Sequence, residues 1–287
     1  MTCERNTAGG YDLHTSGVLR RLHEFAHWTA RESSSEARVI PLFVLYQGAP
    51  ADDGWSLAIP RLDAPPPSQR ALAGLKAAVA AGEGTTPIVF IAELFPTLSP
   101  ALRAAGFVIS LQTPLMLCSP AMLQPPPLIP GLTVSVVTGE SPIAEVQVAL
   151  DVNEQGFDPS YSGHASIDAA EQFRQSLTAA RAFIGRLDGN PVAGGMYQAP
   201  HAGITRLDGI ATLEHYRRRG IGASLSATIT GAAFSAGGEL AFLSAANETA
   251  ERLYARIGYR RAGTIVTWVE ERHRRPEDGD GGHGSIP

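Results

Sequence analysis

The stretch that most constrains this chain is Arg217-Arg218-Arg219-Gly220-Ile221-Gly222, an R-x-x-G-x-G hexapeptide set between two apolar segments. Before it, Ile204 to Thr212 reads as a buried strand. After it, Ile221 to about Ser235 places Leu225, Ile229 and Phe234 at helical spacing until Gly237-Gly238 stops the helix. Two glycines between a strand and a helix let the backbone turn tightly, so that successive N–H groups converge at the helix N-terminus. The helix dipole makes that concavity attractive to an anion, and the arginine run adds charge suited to phosphate. The same six residues also fit a glycine-rich helix start beside a surface arginine cluster. Two nucleotide loops do not fit. A dinucleotide fingerprint would need glycine where Leu225 stands, and a triphosphate loop would need G-K-[ST].

The rest of the chain alternates strand and helix patterns. A helix is expected from Ser16, and a buried strand from Arg38 to Gln47. A second strand follows at Trp55–Ile59, then a helix from Gln69 to about Ala81 and a strand over Pro87–Ala92. Ser99–Ala105 reads as a helix ended by Gly106, and Val108–Cys118 as a strand. Ser119 to Gly131 holds five prolines and reads as an extended connector. Beyond it come a strand at Leu132–Thr138 and helices from about Ser141 and from Ile167. A hairpin is expected across Asp188-Gly189-Asn190-Pro191. After the hexapeptide, Leu240–Ser244 is a strand and Thr249–Ile257 a helix closed by Gly258. Arg261–Glu270 is a final strand. The expected domains are therefore 1–118, a linker at 119–131, 132–270, and a disordered tail at 271–287.

The halves repeat. Setting Phe90 on Phe242 brings Gly106 onto Gly258 and Phe107 onto Tyr259 without a gap, and the flanking elements follow in the same order. The copies differ where chemistry would lie. Tyr254 faces Leu102, Asn247 faces Phe95, and the arginine turn faces P-P-P-S-Q-R. One working site is expected, in the second half.

Composition removes several classes. A net charge of −5 leaves no global field for nucleic acid or an anionic membrane, and no apolar run is long enough to cross a bilayer. The two cysteines, Cys3 and Cys118, lack metal or redox spacing, and the N-terminus lacks an apolar signal core. No metal site, nucleic acid or membrane partner is expected, and a cytoplasmic location is.

The order I-A-T-L-E-H-Y-R-R-R-G-I-G-A-S-L, a strand, then N-E-T-A-E-R-L-Y-A-R-I-G-Y resembles the GCN5-related N-acetyltransferase (GNAT) superfamily over about residues 132–270. The resemblance implies an α/β (α+β) fold of two tandem GNAT-like domains, each a mixed, mostly antiparallel twisted sheet flanked by helices, the first degenerate and without the cofactor motif. It implies acetyl-CoA as the acyl donor substrate. The backbone of Arg218, Arg219, Gly220, Ile221, Gly222 and Ala223 would hold the pyrophosphate beside the Arg217 charge. Ile210, Ala211 and Thr212 would pair with pantetheine like an added strand, and Asn247 would bond its arm. Tyr254 would protonate the departing thiolate as general acid. Asn247 is equally a helix N-cap, and Tyr254 equally a packed helix tyrosine.

An ammonium substrate must lose a proton before it attacks, so a base is needed near Ile210. Strand alternation puts Asp208 and Arg206 on the same face as Ile210, making Asp208 the base, an amine anchor or simply an Arg206 partner. A backbone amide near Ile210 would stabilise the oxyanion. Phe157, Asp158, Tyr161 and His164 lie in the loop that, by resemblance, covers the acceptor pocket. Cys118, at the end of the first domain, is not expected to act as a nucleophile. The leading expectation is an acyltransferase moving acetyl from acetyl-CoA to a primary amine of a small molecule in a ternary complex. A non-catalytic acyl-CoA-binding regulatory module and an enzyme acting on a protein or peptide amine are the alternatives. A monomer or a homodimer fits.

Overall fold

The computed structural model describes residues 16–49, 55–80, 85–125, 128–178 and 180–271, so the expectations for the N-terminus with Cys3 and for the tail from 272 lie outside the described residues. The chain forms two compact units. Among the described residues, the first holds 16–115 and 262–271, and the second 116–261.

The first unit begins with α1 (Ser16–Ser33), which buries Val18, Leu19, Leu22 and Phe25 on one stripe. The single strand expected over 38–47 is instead a hairpin, β1 (Glu36–Val39) and β2 (Phe43–Gln47), paired from Val39↔Val44 to Glu36↔Gln47. Pro41 explains the break, because it offers no N–H to a ladder. Next come β3 (Ser56–Pro60), α2 (Gln69–Ala80), β4 (Ile88–Ile91), α3 (Leu98–Ala104) and β5 (Phe107–Cys118). β2 and β3 are antiparallel, and β3 meets β4 in parallel at Ala58↔Ile88.

The strand that completes this sheet comes from far along the chain. β11 (Arg260–Glu270) lies between β4 and β5, antiparallel to β4 from Trp268↔Ile88 to Ile265↔Ile91. Its Trp268 is fully buried with Phe43, Leu75, Phe90 and Phe107. Side chains of this size contribute about 1.5–3 kcal/mol each on burial. The strand expected to close the second domain thus belongs, from Ala262, to the first unit.

The second unit runs β6 (Leu132–Val137), α4 (Ile143–Phe157), α5 (Ile167–Ser176), β7 (Arg181–Leu187), β8 (Asn190–Tyr197), β9 (Ile204–Thr212), α6 (Ile221–Ser235), β10 (Leu240–Ser244) and α7 (Glu248–Arg256). Its strands lie in the order β6-β7-β8-β9-β10. The end of β5, Met116–Cys118, is counted here, on the far side of β10. The β7–β8 hairpin turns through Asp188 (φ 50°) and Gly189 (φ 84°), the left-handed pair that a two-residue turn requires. One core packs α6 and α7 against the sheet through Leu225, Ile229, Leu243 and Tyr259. A second core packs α4 and α5 through Val146, Ala149 and Ala170.

Within the first unit, α1 delivers two histidines to one carbonyl. His23 Nε2 lies 2.6 Å and His27 Nε2 3.0 Å from Pro60 O, while Tyr46 Oη lies 2.7 Å from His27 Nδ1. Pro60 O can only accept, so each ring donates through Nε2–H, and it is burial that favours the neutral rings. Burial, with His27 and Arg20 nearby, pulls His23 down to about 4, against the opposing bond to Pro60. Burial also lowers His27, with the Pro60 bond and Glu24 opposing. A folded-state pKa below the unfolded value means that protons favour the unfolded chain. The stabilisation is present above about pH 6.5 and is lost as pH falls toward 4. All three tryptophans, Trp28, Trp55 and Trp268, fall in this unit, so their fluorescence follows it. Urea titrations read this way should lose ~3 kcal/mol from His23 between those pH values, at about 1.4 kcal/mol per pKa unit. A His23→Gln variant, which keeps a donor without titrating, should flatten the loss.

Candidate active site

β9 is the scaffold of the site, and two irregularities shape it. β10 runs parallel to β9 from Leu240↔Ile204 to Phe242↔Arg206, where the pairing ends. β9 continues to Thr212 against β8 on its other edge, reaching Thr212↔Ala193. The two strands therefore part beyond Arg206, and among the described residues no strand pairs with the β10-facing edge of β9 there.

The second irregularity is a bulge. Met196 pairs with Asp208 and Gly194 with Ala211, so Gly195 alone faces Gly209 and Ile210. Gly209 takes φ 62°, a left-handed value that its missing side chain permits. The extra residue corrects the expected facing of the side chains. A Cβ on Gly195 would meet Ile210 Cδ1 at 2.5 Å and Ile229 Cδ1 at 2.9 Å, so Ile210 looks toward α6. Asp208 is opposite Met196, which packs with the α4–α5 core. Asp208 and Ile210 thus lie on opposite faces. Strict alternation fails because one residue has been inserted between them.

Asp208 is held at both oxygens. Arg206 Nε lies 2.8 Å from Oδ1, and Gln198 Nε2 donates to Oδ2 at 2.8 Å. Loss of hydration raises its pKa above the ordinary value, while the Arg206 charge and the two hydrogen bonds pull the other way. Its charge reaches Tyr254, whose hydroxyl is raised first by burial and then by Asp208. Gln198 carried no signal in the sequence that marked it as part of this cluster.

The hexapeptide forms a left-handed turn into α6. Arg218 (φ 61°) and Gly220 (φ 81°) both have positive φ, and Gly220 is the N-cap residue with no side chain bonded into the helix start. Among the described residues no side chain caps the first amides of this fifteen-residue helix, which are open to a ligand or solvent. The three arginines divide their roles. Arg217 donates through Nε to Thr212 O and through a terminal nitrogen to Gly156 O, tying the end of β9 to the last turn of α4. A cation is favourable at that helix C-terminus. Arg219 lies over the Tyr216 ring, 5.7 Å from its centroid. All three are exposed, as is His215.

Asn247 and Tyr254 come from α7. Asn247 Oδ1 accepts from Ala250 N at 3.0 Å, the N-cap role, which leaves its side-chain amide group available for a second bond. Tyr254 is buried at 7% exposure, with its ring 5.9 Å from that of Tyr259. Tyr259 in turn shares a 2.9 Å hydrogen bond with Thr230 of α6. Gly222 stands between Thr212 and Leu253, each 3.3 Å from where its Cβ would be. The edge of β9, the α6 turn and α7 are thereby brought to one place.

The loop residues are engaged elsewhere. Asp158 Oδ1 accepts from Ser160 N and Oγ. His164 Nδ1 lies 3.0 Å from Asp151 on α4, and Asp151 also accepts from Ala165 N at 2.7 Å. Burial first, and then the charge of nearby Asp151, raises the pKa of the Tyr161 hydroxyl. Phe157, half-buried, ends α4. The structure joins Tyr161 and His164 to the Asp151 side of α4, whereas Asn153, Gly156 and Val152 face the sheet. Cys118 is counted with the second unit, in its core. Burial pushes its thiol up to about 12, which argues against a thiolate nucleophile for a better reason than chain position.

Residues 150–259 match the model of the acetyltransferase (GNAT) family. The chain carries a GNAT domain. A GCN5-related N-acetyltransferase from Kribbella flavida superposes with a TM-score of 0.70 at 26% identity, over 89% of this chain and 96% of that one. A GCN5-related N-acetyltransferase from Sphaerobacter thermophilus shares the fold, with a TM-score of 0.56, 16% identity and coverage of 85% and 84%. So does a tandem GNAT protein from the clavulanic acid biosynthesis pathway, with a TM-score of 0.54, 15% identity and coverage of 79% and 78%. No curated protein matches the chain. The mixed, mostly antiparallel sheets flanked by helices are those of the GNAT fold. Among the described residues no helix is long and apolar enough to cross a membrane, and no group of three or more His, Cys, Asp or Glu is placed to hold a metal.

The GNAT domain's α7 is set by Gly258. Its φ of 106° closes a turn in which Tyr259 N bonds Tyr254 O at 3.0 Å and Gly258 N bonds Ala255 O at 3.3 Å. A Cβ there would collide with the Met122 carbonyl. Gly258→Ala should cost ~2 kcal/mol or more, from the left-handed backbone plus the displaced Met122 segment. A urea titration followed by far-UV circular dichroism would measure it.

Proposed function

We propose that the GNAT domain moves an acetyl group from acetyl-CoA to a primary amine of a small molecule by direct attack in a ternary complex. The observation that carries this reading is the parting of β10 from β9 after Arg206, which leaves a free backbone edge leading to uncapped amides at α6. An extended pantetheine arm would lie along Ile210, Ala211 and Thr212 as an added strand, and its pyrophosphate would sit on the amides of Arg218 to Ala223. Asn247 would bond the arm with the amide group that its capping role leaves over. The family fold supports acetyl-CoA as donor.

In this mechanism Asp208, fixed by Arg206 and Gln198, takes the proton of the bound ammonium. The neutral amine attacks the thioester carbon and the oxyanion is met by the Ile210 amide; as the C–S bond breaks, Tyr254 protonates the leaving thiolate, and the nitrogen gives up its second proton to restore the Tyr254 hydroxyl. Burial keeps Tyr254 protonated through the neutral range, so the acid is always loaded. The first half, which has the same order of strand types but lacks the arginine turn, Asn247 and Tyr254, is read as a degenerate copy that serves as scaffold.

The first test is acetyl-CoA-dependent thiol release with a panel of primary amines. Stabilisation by CoA without release from any amine would favour a regulatory binding module. Tyr254→Phe should lower kcat by about 10²-fold or more with a smaller change in KM for acetyl-CoA. Full activity at every pH would rule out its acid role. The acid limb of kcat/KM should follow Asp208. Because Arg206 and Gln198 hold the Asp208 pKa down against burial, Arg206→Ala or Gln198→Leu should move that limb to higher pH.

A further inference from the structure

We propose that Asn153 is a positioning residue for the reaction, acting by fixing the direction in which the Ile210 amide points. The inference rests on the acetyl-transfer reading given above. Asn153 lies on the sheet-facing side of α4, and its Nδ2 donates to Gly209 O across the bulge of β9. In a regular strand that carbonyl would lie in the plane of the sheet and serve the ladder. Here it is turned out of the sheet toward a helix on one face.

That turn dictates the neighbouring donor. Every peptide bond among the described residues is trans, so the C=O of Gly209 and the N–H of Ile210 point in opposite directions across one planar unit. With the carbonyl drawn to α4, the Ile210 N–H is directed to the other face, where the Ile210 side chain meets α6. The core that packs α6 and α7 against the sheet, on that same face, includes Tyr254. A thioester carbonyl between the parted strands would therefore find its donor and the proposed acid on the same side of β9.

Two features make the arrangement depend on Asn153. Gly209 has φ 62°, a setting open to glycine, and a Cβ there would press on Asn153 Nδ2 at 3.2 Å. Glycine therefore both permits the turned peptide and leaves room for the side chain that holds it. A glycine peptide is also the one most free to rotate once its anchor is removed. An oxyanion donor acts only when it is already aimed, since its advantage over water lies in needing no reorganisation.

The test compares Asn153→Ala and the isosteric Asn153→Asp with the unaltered full chain. Asp keeps the shape of Asn and removes the donor, so it separates the hydrogen bond from packing. Three quantities are read: thermal midpoint, kcat and KM for acetyl-CoA with an amine that supports turnover, and calorimetric affinity for two probes. The probes are CoA and an acetyl-CoA analogue with methylene in place of the thioester sulfur, which keeps the carbonyl. The expected result is a fall in kcat of about 10-fold or more in both variants, with KM within about 3-fold. Affinity for the carbonyl analogue should fall toward that for CoA, while CoA affinity is retained. Unchanged kcat and analogue affinity in a folded Asn153→Asp would overturn the proposal. So would a parallel loss of thermal midpoint and CoA affinity, which marks a merely structural tie. If the unaltered protein binds both probes equally and acetylates no amine, the acetyl-transfer reading itself has failed, and the proposal falls with it.

Discussion

The geometry of the GNAT domain depends on β9 having two neighbours along its first residues and only one along its last. Up to Arg206 the strand is fully paired; beyond it, β8 remains and β10 has departed. Unpaired backbone in a protein interior is costly unless something else satisfies it. The local structure is organised around that demand. Asn153 takes the Gly209 carbonyl, Arg217 takes those of Thr212 and Gly156, and Asn247 caps the helix on the other flank. What remains unsatisfied is an edge and a helix start in sequence with each other, the shape that an extended molecule with an anionic group would fill.

Much of this was legible because periodicity is a strong local signal. The bounds of β9, α6 and β10 follow from their apolar spacing and from the glycines that punctuate them, and Gly258 announces the end of α7. The bulge was not legible. Asp208-Gly209-Ile210 reads as an ordinary stretch of strand containing glycine, and nothing local shows that Gly195 will face two residues. That one insertion reverses which side of the sheet Asp208 occupies relative to Ile210. Partnerships across long sequence separations were equally hidden. Gln198 is an unremarkable polar residue until β8 brings it to Asp208, and Pro41 makes a hairpin of what hydrophobicity alone reads as one strand.

The arginine run shows how composition can suggest one role for residues that structure separates. Read together, Arg217 to Arg219 are three phosphate charges. In the fold, the Arg217 guanidinium joins two backbone segments, Arg218 contributes a left-handed backbone, and Arg219 rests on Tyr216. The positive potential persists, but the amides of the helix start are the part of the turn whose direction is fixed. Charge here draws an anion in, and geometry decides where it stops.

The placement of β11 has a consequence for how the protein is made. The strand that fills the gap between β4 and β5 of the first unit emerges from the ribosome only after residues 116–259 of the second unit. Until then β4 and β5 lack the neighbour that each has in the finished molecule, and the pocket that will receive Trp268 stands open to water. The first half synthesised is therefore the last half completed, and a nascent chain must keep an adhesive sheet edge in solution for most of its translation.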